Sequence, residues 1–186
     1  MQSFTGKRPL DLALSGAACA AFAPLMAGIA MAVWLDDGGP PLFVQTRMGV
    51  RRQRFPILKF RSMRAEQVTR IGQWLRRTGL DELPQFINVC RGEMSIVGPR
   101  PLTEADVAKL GWDKPSHDWR FESRPGITGL SQLLAGRGAR HSARLDRLYL
   151  ERQHPLLDLH LIGLSIAVNV LGKPTVRRWI RERRVL

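Results

Sequence analysis

The chain has 186 residues, room for one ordinary domain or for a domain with a membrane element, and a core of that size needs no disulfide or metal staple. Its 29 Lys and Arg against 16 Asp and Glu give a net charge of +13, while 44% hydrophobic residues exclude a solvated basic tail and an intrinsically disordered chain. Two cysteines, Cys19 in an apolar run and Cys90 in a predicted helix, exclude a disulfide-built secreted scaffold and fit a reducing compartment. The charge calls for an anionic partner, whether nucleic acid, a phosphorylated substrate or an anionic lipid surface, and composition does not choose among them.

Leu12 to Leu35 carries no charged side chain. As a helix it would run roughly 36 Å, enough to cross a bilayer core of about 30 Å. A signal peptide is disfavoured, because the run is long for an h-region and leads into Asp36-Asp37-Gly38-Gly39-Pro40-Pro41 rather than a small-x-small cleavage site. Only Lys7 and Arg8 among the basic residues precede the run, and Arg47, Arg51, Arg52 and Arg54 follow it closely. Simple spanning would place one basic flank outside, against the positive-inside tendency. Pro24, near the middle, removes one backbone hydrogen bond where a bend could form. A spanning helix with a tolerated proline and a re-entrant helix that breaks at Pro24 both stay open on the residues alone. The Asp36-Asp37 pair is expected in a solvated loop.

Next, Leu42 to Thr46 and Phe55 to Phe60 read as a small β-hairpin. Val68, Ile71, Trp74 and Leu75 fall on one face and predict an amphipathic helix over 65–77, ended by Thr78-Gly79. A short helix is expected from Asp81 to Cys90, with Leu83, Phe86, Ile87 and Cys90 buried and Pro84 in its first turn. Ser95 to Leu102 is extended, since Pro99 and Pro101 disfavour helix at the residues before them. Thr103 with Asp106 predicts a capping box opening another helix. Residues 111–142 are loop-rich, and a helix follows from Ser142 to Gln153. Leu156 to Leu171 is too short to span and reads as a helix lying in an interface or on the core. The tail 173–184 carries Lys173, Arg177, Arg178, Arg181, Arg183 and Arg184, which suits an anionic headgroup surface or a solvated terminal helix.

The chain lacks a phosphate loop, a Gly-x-Gly-x-x-Gly, a His-Glu-x-x-His, a Gly-x-Ser-x-Gly and an Asp-x-Asp. Its four histidines show no metal-ligand spacing. What remains is a charge pattern. Between Arg47 and Leu80 ten basic residues face one acid, Glu66, and then Asp81-Glu82 appears at a predicted helix start. A carboxylate there feels the helix N-terminal dipole and nearby arginines, and an anionic phosphate could share the place. An ordinary N-cap with an acidic first turn explains the same pair. Arg100, held between Pro99 and Pro101, suits bidentate phosphate binding or a surface turn. Lys59 and Arg61 end the second strand, Arg124-Pro125-Gly126 marks a tight turn, and Gly136-Arg137-Gly138 a loop with one cation.

These residues, in order, resemble one family. Lys59-Phe60-Arg61-Ser62-Met63, Arg76-Arg77-Thr78-Gly79-Leu80-Asp81-Glu82-Leu83-Pro84-Gln85, Gly92-Glu93-Met94-Ser95-Ile96-Val97-Gly98-Pro99-Arg100-Pro101-Leu102 and Arg124-Pro125-Gly126-Ile127-Thr128-Gly129 look like the bacterial sugar transferases, the monotopic polyprenyl-phosphate phosphoglycosyl transferases. The resemblance covers roughly 7–170. It implies an α+β, mainly helical, single monotopic membrane domain with an N-terminal re-entrant helix-break-helix over 1–40, and a cytoplasmic catalytic domain over 41–186 with the hairpin, amphipathic interfacial helices and the basic tail. The family's frequent Ser-Pro at the break is Ala23-Pro24 here, which leaves the bend without a hydroxyl to serve a freed carbonyl.

The resemblance also implies a reaction. A UDP-sugar gives its phosphosugar to a polyprenyl phosphate, typically undecaprenyl phosphate, leaving UMP. Asp81 would be the nucleophile, forming an aspartyl-phosphosugar, and Glu82 would help hold Mg²⁺ with it or orient the dyad. Arg76 and Arg100 would bind phosphate, with Lys59, Arg61, Arg124 and Arg137 around the same rim. The implied location is the cytoplasmic face of the bacterial inner membrane, with its lipids as partners and no nucleic acid. Oligomeric state stays open, a homodimer included, and no residue names the sugar. A basic, membrane-anchored protein that binds nucleic acid or lipid without catalysis is the competing reading. It leaves the order of the motifs unexplained, and its aromatics are not interleaved with the basic residues as a stacking surface needs.

Overall fold

A 31-residue helix, α1 (Lys7–Asp37), opens the computed structural model, which describes residues 6–134, 138–172 and 175–176. It is long and apolar enough to cross a membrane. The expected helix-break-helix is one continuous helix: Pro24 lies inside it without interrupting the assignment. A proline removes one bond and crowds the preceding turn, so continuity and a bend are compatible. Asp36 and Asp37 belong to the last turn of α1 rather than to a loop, and Gly38 ends the helix at φ 69° with its N–H donated to the Trp34 carbonyl at 2.7 Å.

Both halves of α1 pack on the rest of the chain. Lys7, Asp11 and Ser15, spaced by four, form a buried polar stripe. Lys7 Nζ donates to Asp158 Oδ2 at 2.6 Å and to the Tyr149 hydroxyl at 3.1 Å, and Asp11 Oδ1 accepts from the Ile96 N–H at 3.1 Å. Toward the other end, Ile29 and Val33 are buried with Phe60, Leu75 and Leu83. Between these anchors residues 20–25 are exposed, as are Met31, Trp34 and Leu35.

The expected hairpin is present as β1 (Leu42–Met48) and β2 (Arg54–Phe60), paired antiparallel from Leu42 opposite Phe60 to Met48 opposite Arg54. A two-residue ladder follows, β3 (Met63–Arg64) with β4 (Gln67–Val68), turned by Ala65 and Glu66 at positive φ. The amphipathic helix therefore starts later than expected, as α2 (Arg70–Thr78), with the Thr69 side chain accepting from Gly72 N–H. Its buried face is Gly72 and Leu75, while Trp74 and Val68 are exposed. The strand ladder removes Val68 from the helix, and the close approach of Gly72 to Ser62 sets which face turns inward.

A single 3₁₀ turn, Leu80–Glu82, leads into α3 (Gln85–Arg91). Here the inward face is Leu83, Gln85, Asn88 and Val89, and Cys90, expected inside, is exposed. Asn88 explains the difference. Its carboxamide accepts from the Leu58 N–H and donates to the Pro56 carbonyl, clamping α3 to β2 through polar atoms.

The extended segment supplies β5 (Ser95–Val97), and Thr103 caps α4 (Glu104–Lys109) with the full reciprocal capping box to Asp106. A 3₁₀ segment, Pro115–Phe121, precedes β6 (Gly126–Thr128), which pairs parallel with β5, Ser95 opposite Gly126 and Val97 opposite Thr128. At this pairing the backbones leave no room for a side chain, since a Cβ on Gly126 would lie 2.1 Å from the Gly98 nitrogen. The chain ends in α5 (Leu130–Leu134), α6 (Ala139–Arg152) and α7 (Pro155–Leu171). The main core joins Phe55, Ile57, Val89, Met94 and Ile96 to Tyr149, Leu161 and Leu164 of α6 and α7. Outward, α7 exposes Leu156, Leu159, Ile166, Val170 and Leu171, as an interfacial helix would. The basic residues expected in the tail lie outside the described residues.

Candidate active site

Asp81 and Glu82 occupy the 3₁₀ turn between α2 and α3. Gly79 makes that turn possible. It leaves α2 at φ 73°, a left-handed conformation that favours glycine, and a Cβ there would also lie 2.7 Å from Asn169 Nδ2 of α7. Leu80 and Leu83, on either side of the acidic pair, pack in the cluster that holds Ile29 and Val33. The turn that carries the two carboxylates is thus seated directly on the second half of α1.

The pair faces a cavity of about 450 Å³ whose polar wall includes Arg76, Arg77, Arg100, Gln132, Ser165 and Asn169. Arg100 enters from the Pro-flanked segment after β5, while Ile127 and Thr128 of β6 complete that side. Arg76 is partly engaged, its Nε donating to Ser62 Oγ at 2.9 Å. Among the described residues the guanidiniums of Arg77 and Arg100 donate no hydrogen bond to the protein, which leaves both forks available to an anion.

Lys59, on β2, ion-pairs with Glu82 Oε1 at 2.8 Å. Burial raises the Asp81 pKa above the ordinary carboxylate value, and the Glu82 charge adds to the rise, against the pull of Lys59 and Arg76. Raised basicity suits a nucleophilic carboxylate, provided it remains ionised at working pH.

The structure therefore brings together Asp81, Glu82, Lys59, Arg76 and Arg100. Arg61 stands elsewhere, its guanidinium packed under Gly39 in the segment that leaves α1 and its N–H bonded to the Pro41 carbonyl. Arg124 donates to the Gly92 carbonyl at 2.9 Å and lines a different cavity with Lys7 and Arg8. Arg137 lies outside the described residues, and Ala23 and Pro24 are exposed on α1. Sequence reasoning passed over Arg77, Gln132, Ser165 and Asn169. Only Arg77 had a signal, as the neighbour of Arg76 in one helical turn; the other three come from distant segments.

Two adjacent carboxylates on one turn are a fitting donor set for a hard cation that takes oxygen ligands and completes its shell with phosphate and water. Among the described residues no third His, Cys, Asp or Glu joins them, so the protein alone does not build a closed metal cage.

The sequence profile of the bacterial sugar transferases matches residues 1–172. The chain belongs to the bacterial sugar transferase family. The curated relatives of this chain include an undecaprenyl-phosphate glucose phosphotransferase of Komagataeibacter xylinus, 37% identical over 192 residues, covering 90% of this chain and 36% of the relative. A UDP-glucose:undecaprenyl-phosphate glucose-1-phosphate transferase of Caulobacter vibrioides is 40% identical over 155 residues, covering 76% of this chain and 58% of the relative. The exopolysaccharide production protein PSS of Rhizobium leguminosarum bv. phaseoli is 36% identical over 195 residues, covering 90% of this chain and 96% of the relative. Against the first two of these the chain spans 36% and 58% of the relative's length, whereas it spans nearly all of the third.

Proposed function

We propose that this transferase moves a phosphosugar from a UDP-sugar to a polyprenyl phosphate, giving a polyprenyl diphosphate sugar and UMP. The observation that carries this reading is the Asp81–Glu82 turn, which opens onto an arginine-walled cavity while resting on an apolar helix long enough for a membrane. Relatives named for transfer from UDP-glucose to undecaprenyl phosphate supply the substrate classes.

The chemistry follows from the charges. An Asp81 carboxylate oxygen attacks the phosphorus attached to the sugar, and the bond from that phosphorus to the UMP oxygen breaks. The bond between sugar carbon and phosphate oxygen stays intact. A phosphate oxygen of the polyprenyl phosphate then attacks the same phosphorus, and the Asp81 carboxylate leaves. Both steps bring anions together, so they need fixed positive charge around the phosphorus, which Arg76, Arg77 and Arg100 provide. Asp81 and Glu82 would hold Mg²⁺, which supplies charge neutralisation on the diphosphate and on the departing UMP. Lys59 fixes the direction of the Glu82 carboxylate through their ion pair.

The acceptor explains the seat on α1. A polyprenyl phosphate presents its phosphate at the membrane surface, so the nucleophile must wait at that depth. A re-entrant path for α1, with both ends on the cytoplasmic face of the inner membrane, is supported by its packing. Lys7 is tied to Asp158 of α7, Ile29 and Val33 pack beside Leu75 of α2, and the exposed stretch around Pro24 lies between. A helix crossing a core of about 30 Å would carry one end away from the domain.

The reaction is tested by following UMP release from UDP-glucose, UDP-galactose and UDP-N-acetyl sugars with Mg²⁺ and undecaprenyl phosphate. Release with at least one donor is expected, and silence with every donor contradicts the proposal. The path of α1 is tested with single cysteines, Ser3→Cys and Gln53→Cys, in a background free of Cys19 and Cys90. Both should resist an impermeant thiol reagent in intact cells and react after permeabilisation; labelling of either one in intact cells contradicts re-entry.

A further inference from the structure

Beside the cavity at Asp81 lies a chamber of about 20 Å³ lined by Arg47, Lys59, Glu82, Gln85, Arg100 and Gln132. It shares Glu82, Arg100, Ile127 and Gln132 with the larger cavity, so the two meet along those side chains. Two buried donors at this chamber have no acceptor. Gln85 is only 2% exposed, and its Nε2 is unpartnered. Arg47 Nε is buried and unpartnered as well, although the same guanidinium donates through its Nη atoms to Asp106 and Gln45. Buried polar atoms are almost always satisfied, so two orphaned donors at one chamber call for a missing acceptor.

The chemistry of that acceptor is restricted. Gln85 Nε2, Arg47 and Arg100 are donors, while the acceptors of the lining are already engaged, Glu82 by Lys59 Nζ and Gln132 Oε1 by the Ser131 hydroxyl. An oxygen that only accepts satisfies the donors best, and an anionic one satisfies them most strongly. The space admits one oxygen-sized atom, of the order a single water needs, and excludes a whole phosphate or a sugar ring.

We propose that Gln85 Nε2 and Arg47 Nε form an oxyanion subsite that takes one non-bridging oxygen of the phosphoryl group attached to the sugar. This rests on the phosphoglycosyl transfer reading and gives a role within it to two residues that the reading had left without one. With one phosphoryl oxygen held in the chamber, the phosphorus sits at the junction of the two spaces, where the carboxylate of the acidic turn can reach it. The same two donors would hold that oxygen while the carboxylate attacks and again while the lipid phosphate displaces it, so the phosphorus need not be repositioned between the steps.

UDP and UMP separate this subsite from the rest of the cavity, because only UDP carries the second phosphoryl group. Their binding to the full chain in detergent with Mg²⁺ is measured by calorimetry for wild type and three variants. Gln85→Leu, close in size and without donors, should weaken UDP about 10-fold, the loss of one hydrogen bond to a charged group. It should leave UMP within about twofold and should not lower the thermal midpoint, since it removes an unsatisfied buried donor. Gln85→Glu should weaken UDP further by placing a negative charge in the chamber. Arg47→Lys, which keeps a cation beside Asp106 but lacks Nε, should repeat the selective loss of UDP. Equal loss of UDP and UMP would mark a structural role, and unchanged UDP would mark a chamber that holds only water; either result overturns the subsite. Wild type binding neither nucleotide would overturn the transferase reading itself, and the subsite with it.

Discussion

Two cavities of about 380 and 450 Å³ are both rimmed with cations, yet they are built to different ends. In the smaller one Lys7, Arg8 and Arg124 are occupied by the protein, and only Arg51, an exposed side chain of the turn between β1 and β2, has no hydrogen bond among the described residues. Lys7 is held by Asp158 and Tyr149, Arg8 by the carbonyls of Val89 and Cys90, and Arg124 by the carbonyl of Gly92. These side chains lock the start of α1 and the turn before β6 onto the body of the domain. In the larger cavity Arg77 and Arg100 keep their guanidiniums unbonded, Asp81 is held at a raised pKa, and Gln85 and Arg47 leave donors unsatisfied nearby. The density of positive charge is similar. What distinguishes the site for an anion is that open guanidiniums stand beside an acidic pair and that two buried donors, Gln85 Nε2 and Arg47 Nε, have been left without partners, at a cost in stability that a ligand relieves.

The comparison breaks most sharply at Asp81. Asp81→Asn should lower UMP release by a factor on the order of 10³ or more, because in the proposed mechanism it removes the nucleophile rather than a supporting contact. The same substitution should raise the thermal midpoint at neutral pH. An acid whose pKa is raised in the fold adds stability below its ordinary pKa, and that contribution is lost as pH rises through the folded value. At pH 7 the ionised Asp81 is therefore a liability, and the gain from Asn should shrink as the pH falls below the ordinary carboxylate range. A melting series of both proteins from pH 3 to pH 8 checks the sign.

Next in size is the structural cavity. Lys7→Met leaves Asp158 buried without its cation, and breaking a buried pair in this way should cost about 3–5 kcal/mol of stability. Chemical denaturation in detergent reads that loss. A far smaller drop would mean that the start of α1 is not fixed where the buried stripe puts it.

The arginines then sharpen the contrast. Arg100→Ala should lower kcat/KM for the UDP-sugar about 10- to 100-fold, the range for a hydrogen bond to a charged group, with little effect on melting. Arg124→Ala should do the reverse, losing about 1 kcal/mol of stability while its kcat/KM stays within about threefold. Equal effects of the two would erase the distinction between occupied and open cations.

The smallest effect is on the titration of Asp81 itself. In the Mg²⁺-free protein its carboxyl should titrate above the range of an ordinary aspartate, read by NMR of the labelled carboxyl carbon, because burial and Glu82 disfavour the ionised form. Lys59→Met removes a charge that opposes this rise and should move that titration further toward neutral pH.

Much of this arrangement was legible in the residues. The hairpin, the capping box at Thr103 and the apolar run each rest on local chemistry that short windows of sequence carry. The acidic pair after a helix-ending glycine was visible, and its ordered surroundings tied it to a family. What could not be read was the inward face of α3. Gln85 and Asn88 are buried polar residues, so hydrophobic periodicity pointed instead to Phe86, Ile87 and Cys90. Arg124 was placed at the site by its motif, but its bond to Gly92 is set by tertiary contacts that spacing does not record. Ser165 and Asn169 reach the cavity because α7 crosses close to Gly79, a contact between segments about 90 residues apart that follows from packing and from no local pattern. The stripe of Lys7, Asp11 and Ser15 was there to be seen, since a spacing of four is one helical face, and it argues that the first half of α1 leans on protein.

The central claim, that Asp81 carries the phosphosugar between donor and acceptor, is tested most directly by intact-protein mass spectrometry after mixing the transferase with its UDP-sugar and Mg²⁺ in the absence of polyprenyl phosphate. The account predicts a mass increase of one phosphosugar, mapped by fragmentation to Asp81, absent from Asp81→Asn and discharged when polyprenyl phosphate is added. An adduct on another residue, or UMP release that requires the acceptor and leaves no adduct in any rapid quench, would contradict it.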